Sequence, residues 1–179
     1  SREDFEQKFN GLCFGPNPKQ SVFIDSLFIH PELGFSWTAP EGWKTVNKPA
    51  AVGMYTEKGD AVAVLSVVEN KKSSSEIGEE VKSNALKSNA VILQSARDTT
   101  INSNKAYLMR MREVERRDVL LEVLWIEFED KVFQLAGVFT PPNRKVVHET
   151  LCSFRNAQSD ELKMVNQLEL QIVHSQKSE

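Results

Sequence analysis

The amino-acid sequence predicts an α+β domain in which a mostly antiparallel sheet is flanked by helices. Short runs of alternating or continuous apolar residues recur between polar turns along most of the chain, which is typical of strands joined as hairpins. Two amphipathic stretches at helical spacing separate the blocks of strands. Helices placed between such blocks are the mark of the α+β class.

The composition limits the kinds of partner. The chain has 179 residues, enough for one domain that buries roughly two-thirds of its unfolded surface. The net charge of -3 and the isoelectric point near 5.7 argue against non-specific binding to nucleic acid or to an anionic membrane. No apolar run approaches the ~20 residues of a membrane-spanning helix. We therefore expect neither nucleic acid nor a membrane span.

Three parts are predicted along the chain. Residues 1–18 form a lead-in helix and linker, in which Phe5 and Phe9 make one aromatic stripe at i and i+4. This part is predicted to be a remnant of a preceding domain. Residues 19–175 form the α+β domain, and residues 176–179 form a frayed tail. Because the chain starts without methionine or a signal sequence, we expect a mature product or an excised piece.

The stretch 30–43 is predicted to organise the domain. Phe35 and Trp37 alternate with polar residues, as in a strand with one buried face. Prolines at both ends bound this strand. Gly42 permits a tight turn that returns Trp43 to the apolar face. We expect Phe35, Trp37 and Trp43 to be structural or interaction residues.

The first half continues as strands and one helix. Residues 22–29 are predicted as one extended edge segment, and Ala51–Tyr55 as a strand. A turn at 57–60 leads to Ala61–Val68, which is apolar on both faces and is therefore expected in the centre of a sheet. Serine hydroxyls at 73–75 can begin a helix that runs to about residue 88.

The second half is predicted as four strands in meander order, a helix and a last strand. The meander comprises residues 90–96, 106–114, 119–128 and 132–139, joined by short polar turns. The next helix begins at a Pro-Pro pair and carries an apolar stripe of Val146, Val147, Leu151 and Phe154. Residues 168–173 alternate apolar and polar, which predicts one more strand or an extended arm.

A metal site is suggested by the sequence His-Glu-Thr-Leu-Cys at 148–152. His148 and Cys152 stand at i and i+4, share one helix face, and are donor types that bind Zn²⁺. A third ligand would be His30, His174 or Cys13, and no spacing selects one. The alternative is a surface histidine beside a core cysteine. We favour this alternative, so no metal or cofactor is assigned to the chain.

Other chemistry is weakly indicated. Glu122 has apolar neighbours on its strand face, so it is either an acid–base group or the cross-strand partner of Arg110 or Arg112, and we favour the ion pair. Four arginines at 110–117 alternate with acids, which indicates a solvated hairpin. No nucleophile elbow or phosphate-binding loop occurs. Cys13 and Cys152 are either two free, part-buried thiols or one long-range bridge.

Two resemblances follow from particular motifs. Residues 29–37 (IHPELGFSW) and 39–43 (APEGW), with a lead-in at 10–18, resemble the region after the catalytic domain in bacterial envelope zinc metallopeptidases of the HtpX/BepA-like type. The order of strands, helix, meander and helix resembles the PsbP/Mog-like α/β/α sandwich. The second likeness concerns the fold alone, and a fold does not establish a function.

The first resemblance implies a non-catalytic accessory C-terminal domain of a secreted or periplasmic zinc metalloprotease. Its partners would be the upstream peptidase domain, a protein substrate, or both. The zinc would belong to that parent protein, because this chain has no His-Glu-x-x-His motif and no catalytic residue can be transferred to it. The alternative is a free-standing PsbP/Mog-like protein-binding module of the cell envelope.

Overall fold

The structure is a computed structural model, which describes residues 21–49, 51–69 and 71–177. The predicted lead-in of residues 1–18, with Phe5 and Phe9, lies outside the described residues. Residues 178–179 also lie outside them, so the frayed tail stays a prediction.

The described residues form two antiparallel sheets and three α-helices, which confirms the α+β class. The strands are β1 (Val22–Ile24), β2 (Leu27–His30), β3 (Phe35–Thr38), β4 (Lys44–Lys48), β5 (Ala51–Tyr55), β6 (Ala61–Val68), β7 (Val91–Ile101), β8 (Asn104–Glu113), β9 (Leu120–Phe128), β10 (Lys131–Phe139) and β11 (Arg155–Asn156). The helices are α1 (Ser74–Lys87), α2 (Arg144–Cys152) and α3 (Ser159–Lys177), and a 3-10 turn (Pro141–Asn143) precedes α2.

The larger sheet has seven strands in the order β4-β5-β6-β10-β9-β8-β7, and the smaller has four in the order β1-β2-β3-β11. Strands β7 to β10 form the predicted meander, although β7 is longer than the pattern indicated. β6 lies between β5 and β10, and most of its side chains are buried on both faces. Its predicted central position is therefore confirmed.

Helix α1 covers one face of the larger sheet along β7, β8 and β9. The helix begins where predicted, because the hydroxyl of Ser73 accepts a hydrogen bond from the backbone N–H of Glu76 at 3.2 Å. Ile77 packs there with Tyr107 and Trp125 in an apolar cluster. Gly78 is also buried against the ring of Tyr107, so the close approach of helix and sheet depends on a residue without Cβ.

The opposite face of the larger sheet carries the main core. Phe35 and Trp37 of β3 are fully buried there together with Phe154. The indole N–H of Trp37 donates to the backbone oxygen of Thr150 at 2.8 Å, which joins the smaller sheet to α2. Both side chains therefore lie in the core, and their role as structural or interaction residues stays a prediction.

Three predictions for local structure need correction. Residues 22–29 are a hairpin of β1 and β2 rather than one segment, and Asp25 in its turn has a positive φ of 54°. The five residues of β4, which were not predicted, pair with β5. Residues 168–173 are not a strand, because they continue α3. Their alternation of apolar residues occurs within a run of good helix formers that begins with acidic residues in the first turn.

Trp43 differs from the other two aromatic residues of its stretch. Gly42 has a positive φ of 82°, as the predicted turn requires. The Trp43 ring is only half-buried, packs on the margin of the main core, and lines an open cleft beside Pro40. Its role as a structural or interaction residue stays a prediction.

We expect this difference to appear in unfolding. Trp37→Ala should lower the free energy of unfolding by about 3–5 kcal/mol, since it leaves a cavity in the main core and removes the hydrogen bond from the indole to the Thr150 oxygen. Trp43→Ala should lower it by about 1–2 kcal/mol. Denaturant unfolding of both variants measures the two losses. Equal losses would contradict the conclusion that Trp37 is fully buried and Trp43 only half-buried.

Gly78→Ala provides a second stability test, in which two effects oppose each other. Alanine favours a helix over glycine by about 1 kcal/mol. The added methyl group would overlap the Tyr107 ring, and such overpacking costs about 1–3 kcal/mol. We expect net destabilisation. Ser83→Ala, at an exposed position of α1, is the matched control and should be neutral or stabilising in the same thermal melts.

Candidate functional site

A buried carboxylate lies where α2 covers the larger sheet. Glu122, the third residue of β9, has an exposed fraction of 1%. Arg110 stands directly opposite on β8, and its Nε donates to Glu122 Oε1 at 2.6 Å. The predicted cross-strand ion pair is therefore confirmed with Arg110, whereas Arg112 lies opposite Leu120.

Helix α2 adds a histidine to this pair. His148 Nδ1 lies 2.9 Å from Glu122 Oε2 and 3.4 Å from Arg110 Nη2. The shorter contact faces a group that can only accept, so we assign a proton to Nδ1 that is donated to Glu122. In the neutral ring this assignment leaves a lone pair on Nε2.

Cys152 lies one helical turn further along α2. Its Sγ is 3.7 Å from His148 Nε2 and 3.9 Å from Nδ1. Burial, followed by the negative charge of Glu122, raises the pKa of the thiol to about 11, and Arg110 opposes this shift only in part. Cys152 is a free thiol, as one of the two sequence alternatives proposed; Cys13 lies outside the described residues.

These four side chains, Arg110, Glu122, His148 and Cys152, are called here the β9–α2 cluster. The cluster has the residue types of a Cys–His–carboxylate triad. A thiol of raised pKa is nevertheless a poor nucleophile, because the thiolate is the reactive form. The raised pKa of the Cys152 thiol thus favours a structural or ligand-binding role over covalent catalysis.

The sequence indicated the two halves of this cluster separately. Strand alternation predicted that Glu122 pairs with Arg110 or Arg112, and helical spacing brought His148 and Cys152 together. The two pairs meet because α2 crosses β9 and brings His148 to Glu122, which lies 26 positions earlier in the chain. No local pattern in the sequence indicates this contact. The apolar neighbours of Glu122 on its strand face, Leu120 and Leu124, were the signal in the sequence that this carboxylate would need a polar partner.

The remaining polar and aromatic predictions are structural. Arg116 of the arginine hairpin pairs with Glu113 at 3.0 Å on an exposed surface. Trp125 is buried, and its indole N–H donates to Gln134 Oε1 at 3.0 Å. In the described part of the chain no three His, Cys, Asp or Glu side chains form a group suited to a metal, and no helix is long and apolar enough to cross a membrane.

The two edges of the larger sheet differ strongly, which makes one of them a candidate interface. β4 is five residues long, and the exposed Lys44 and Lys48 stand at its ends. Short length and lysine are common means by which proteins prevent pairing at an edge. β7 has eleven residues, contains neither lysine nor proline, and has one irregularity, between Leu93 and Ser95. Among the described residues, no strand pairs with its outer side.

Comparison with known proteins identifies the fold. No family model and no curated protein matches the chain. Among solved structures, cyanobacterial PsbP (CyanoP) from Synechocystis sp. PCC 6803 is similar over 82% of this chain and 98% of its own, with 14% identity and a TM-score of 0.55. A Bacteroides thetaiotaomicron protein is similar over 76% of this chain and 50% of its own, with 15% identity and a TM-score of 0.50.

A third structure is LpqN of Mycobacterium tuberculosis, involved in cell envelope biogenesis, with 12% identity, coverage of 69% of this chain and 83% of its own, and a TM-score of 0.49. The likeness to CyanoP, which covers nearly all of that protein, shows the fold. The fold of this chain is PsbP-like, as the fold-level resemblance predicted.

The ion pair within the cluster can be tested by substitution. Arg110→Met leaves the Glu122 carboxylate buried with a weaker set of partners, and we expect a loss of about 2–3 kcal/mol, below the value for fully buried pairs because Arg110 is partly exposed. Adding Glu122→Gln should recover at least half of this loss. Arg116→Met, at an exposed pair, should change stability by less than ~0.5 kcal/mol in the same denaturant experiment. Equal effects of the two arginine substitutions would contradict the assignment.

Proposed function

We propose that this chain is a non-catalytic binding module that takes up an extended segment of a protein partner along β7. The observation that carries the proposal is the contrast between the two sheet edges. An edge strand presents a row of backbone N–H and C=O groups that can pair with another chain. Strand addition to such an edge is a recurrent mode of peptide recognition.

The dimensions of β7 suit this mode. Eleven residues at about 3.3 Å each give an edge of about 36 Å. In strand addition the backbone hydrogen bonds provide affinity, and pockets for alternate side chains provide specificity.

Apolar side chains lie at the start of β7 and could supply such contacts. Ile92 has an exposed fraction of 44%, and Leu86 in the last turn of α1 has 64%. Val114 is also exposed, and its backbone N–H donates to the Ala90 oxygen at 2.9 Å, which places it beside the same corner. Three exposed aliphatic side chains around one end of an open edge favour an extended partner with apolar residues at that end.

The charges along β7 favour a partner segment without a large net charge. Arg97 and Asp98 are adjacent and exposed, so the net charge of the strand is zero. A strongly charged segment would gain no electrostatic attraction there.

The resemblance to the region after the catalytic domain of envelope zinc metallopeptidases gives this module a narrower role. The partner would then be a peptidase domain on the same polypeptide or its protein substrate, and the location periplasmic or secreted. This role and this location stay predictions. The reading frame upstream of Ser1 tests the role, since a His-Glu-x-x-His motif encoded there in frame is required.

The binding mode can be tested by site-specific photocrosslinking in the organism that makes the protein. A photoreactive amino acid at Gln94 or Thr100, both exposed on β7, should give one protein adduct of defined mass. The same amino acid at Thr45, exposed on β4, is the control and should not give this adduct. Adducts of equal yield from both edges would contradict the proposal, and an adduct of twice the chain's mass would assign the edge to a second copy.

The identified partner then allows a quantitative test. In the purified complex, amide hydrogen exchange should slow in β7 and remain unchanged in β4. Gln94→Lys with Thr100→Lys should weaken binding by at least about tenfold, because lysines oppose strand pairing at an edge. Thr45→Lys should leave the affinity unchanged. Protection elsewhere, with no loss in the β7 variant, would overturn the proposed mode.

A further inference from the structure

We infer that His148 and Cys152 form a two-ligand site on α2 for one borderline or soft divalent cation, of which Zn²⁺ and Cd²⁺ are the appropriate probes. The two residues lie at i and i+4 and face the same side of the helix. Both are partly accessible to solvent, so an ion can reach them. Imidazole and thiolate are the donor types that such cations prefer.

The separation of the donor atoms is close to the one that a single ion requires, and a side-chain rotation of Cys152 would place its sulfur on the lone-pair side of Nε2. A tetrahedral ion with a Zn–S bond of about 2.3 Å and a Zn–N bond of about 2.05 Å holds the two donors about 3.5 Å apart. The observed distance from Cys152 Sγ to His148 Nε2 is 3.7 Å. Since Sγ is nearly as close to Nδ1, the sulfur lies beside the ring, and coordination requires a rotation of Cys152 about its Cα–Cβ bond.

Glu122 holds the histidine in the tautomer that a metal needs. With the Nδ1 proton donated to Glu122 Oε2 at 2.9 Å, Nε2 carries the lone pair and lies nearer to Cys152. A carboxylate behind a ligating histidine is the usual second-shell arrangement, because it fixes the ring and raises its basicity. Arg110 fixes this carboxylate in turn through Glu122 Oε1.

The ligand count determines what kind of site this is. No third protein donor completes a group of metal ligands within the described ranges, so solvent fills the remaining positions. Binding replaces the thiol proton, which passes to solvent, by the cation. An open site of this kind binds an exchangeable ion rather than a permanently held structural one.

The test is a titration of the purified chain with Cd²⁺, in which the ultraviolet absorption of the cadmium–thiolate bond is measured. Cys13→Ser is used as the background, so that the absorption reports Cys152. We expect one Cd²⁺ per chain, and Zn²⁺ in excess should displace it. Cys152→Ser should abolish the absorption, and His148→Gln should weaken binding at least tenfold. Glu149→Gln, which removes an exposed carboxylate next to His148, should leave the affinity within about twofold of the background.

Glu122→Gln tests the positioning role separately. Its side chain has the same shape but presents an amide to His148, and loss of a second-shell carboxylate typically costs about 10–100-fold in metal affinity. Circular dichroism melts establish that each variant is folded before titration. Retention of the full absorption in Cys152→Ser, or an affinity unchanged by His148→Gln, would overturn the site.

Discussion

The constraint on which this fold depends is that the larger sheet is apolar on both faces. β6 buries side chains on each side, and β10 next to it does the same. A sheet of this kind cannot leave a face in water, so two separate covers are needed. α1 provides one, over β7 to β9, and α2 with the smaller sheet provides the other.

The second cover has more than one part, and its parts are joined by polar contacts. The Trp37 indole N–H donates to the backbone of α2, and the hydroxyl oxygen of Ser153 at the end of that helix accepts from the Thr38 backbone N–H at 3.1 Å. Further along the chain, Arg155 Nη1 donates to Glu161 Oε1 at 2.8 Å, and this charged hydrogen bond lowers the pKa of Glu161. The contacts of Trp37 and Ser153 fix the position of α2, and they thereby fix which of its residues stand over Glu122.

Much of this arrangement could be predicted from the sequence, and the reasons are local. β5 and β6 follow from apolar runs separated by a polar turn, and α1 from a serine cap before an apolar period. α3 could not be distinguished from a strand at residues 168–173, because Leu168, Leu170 and Ile172 alternate as in a strand, while Leu168 and Ile172 also stand at i and i+4 as on one helix face. β4 carries mostly exposed polar side chains, so no hydrophobic pattern marks it.

The β9–α2 cluster shows why the site was harder to predict than the fold. Each of its two pairs corresponds to a pattern in the sequence. Arg110 and Glu122 face each other on the two strands of a hairpin, and His148 and Cys152 stand four residues apart on one helix. The angle and height at which α2 lies on the sheet depend on Val147 and Leu151, which pack in the main core. Gly137 of β10 lies under Val147, and a Cβ there would meet the valine side chain at 2.5 Å. The height of α2, and with it the distance from His148 to Glu122, therefore depends on a glycine that carries no chemistry of its own.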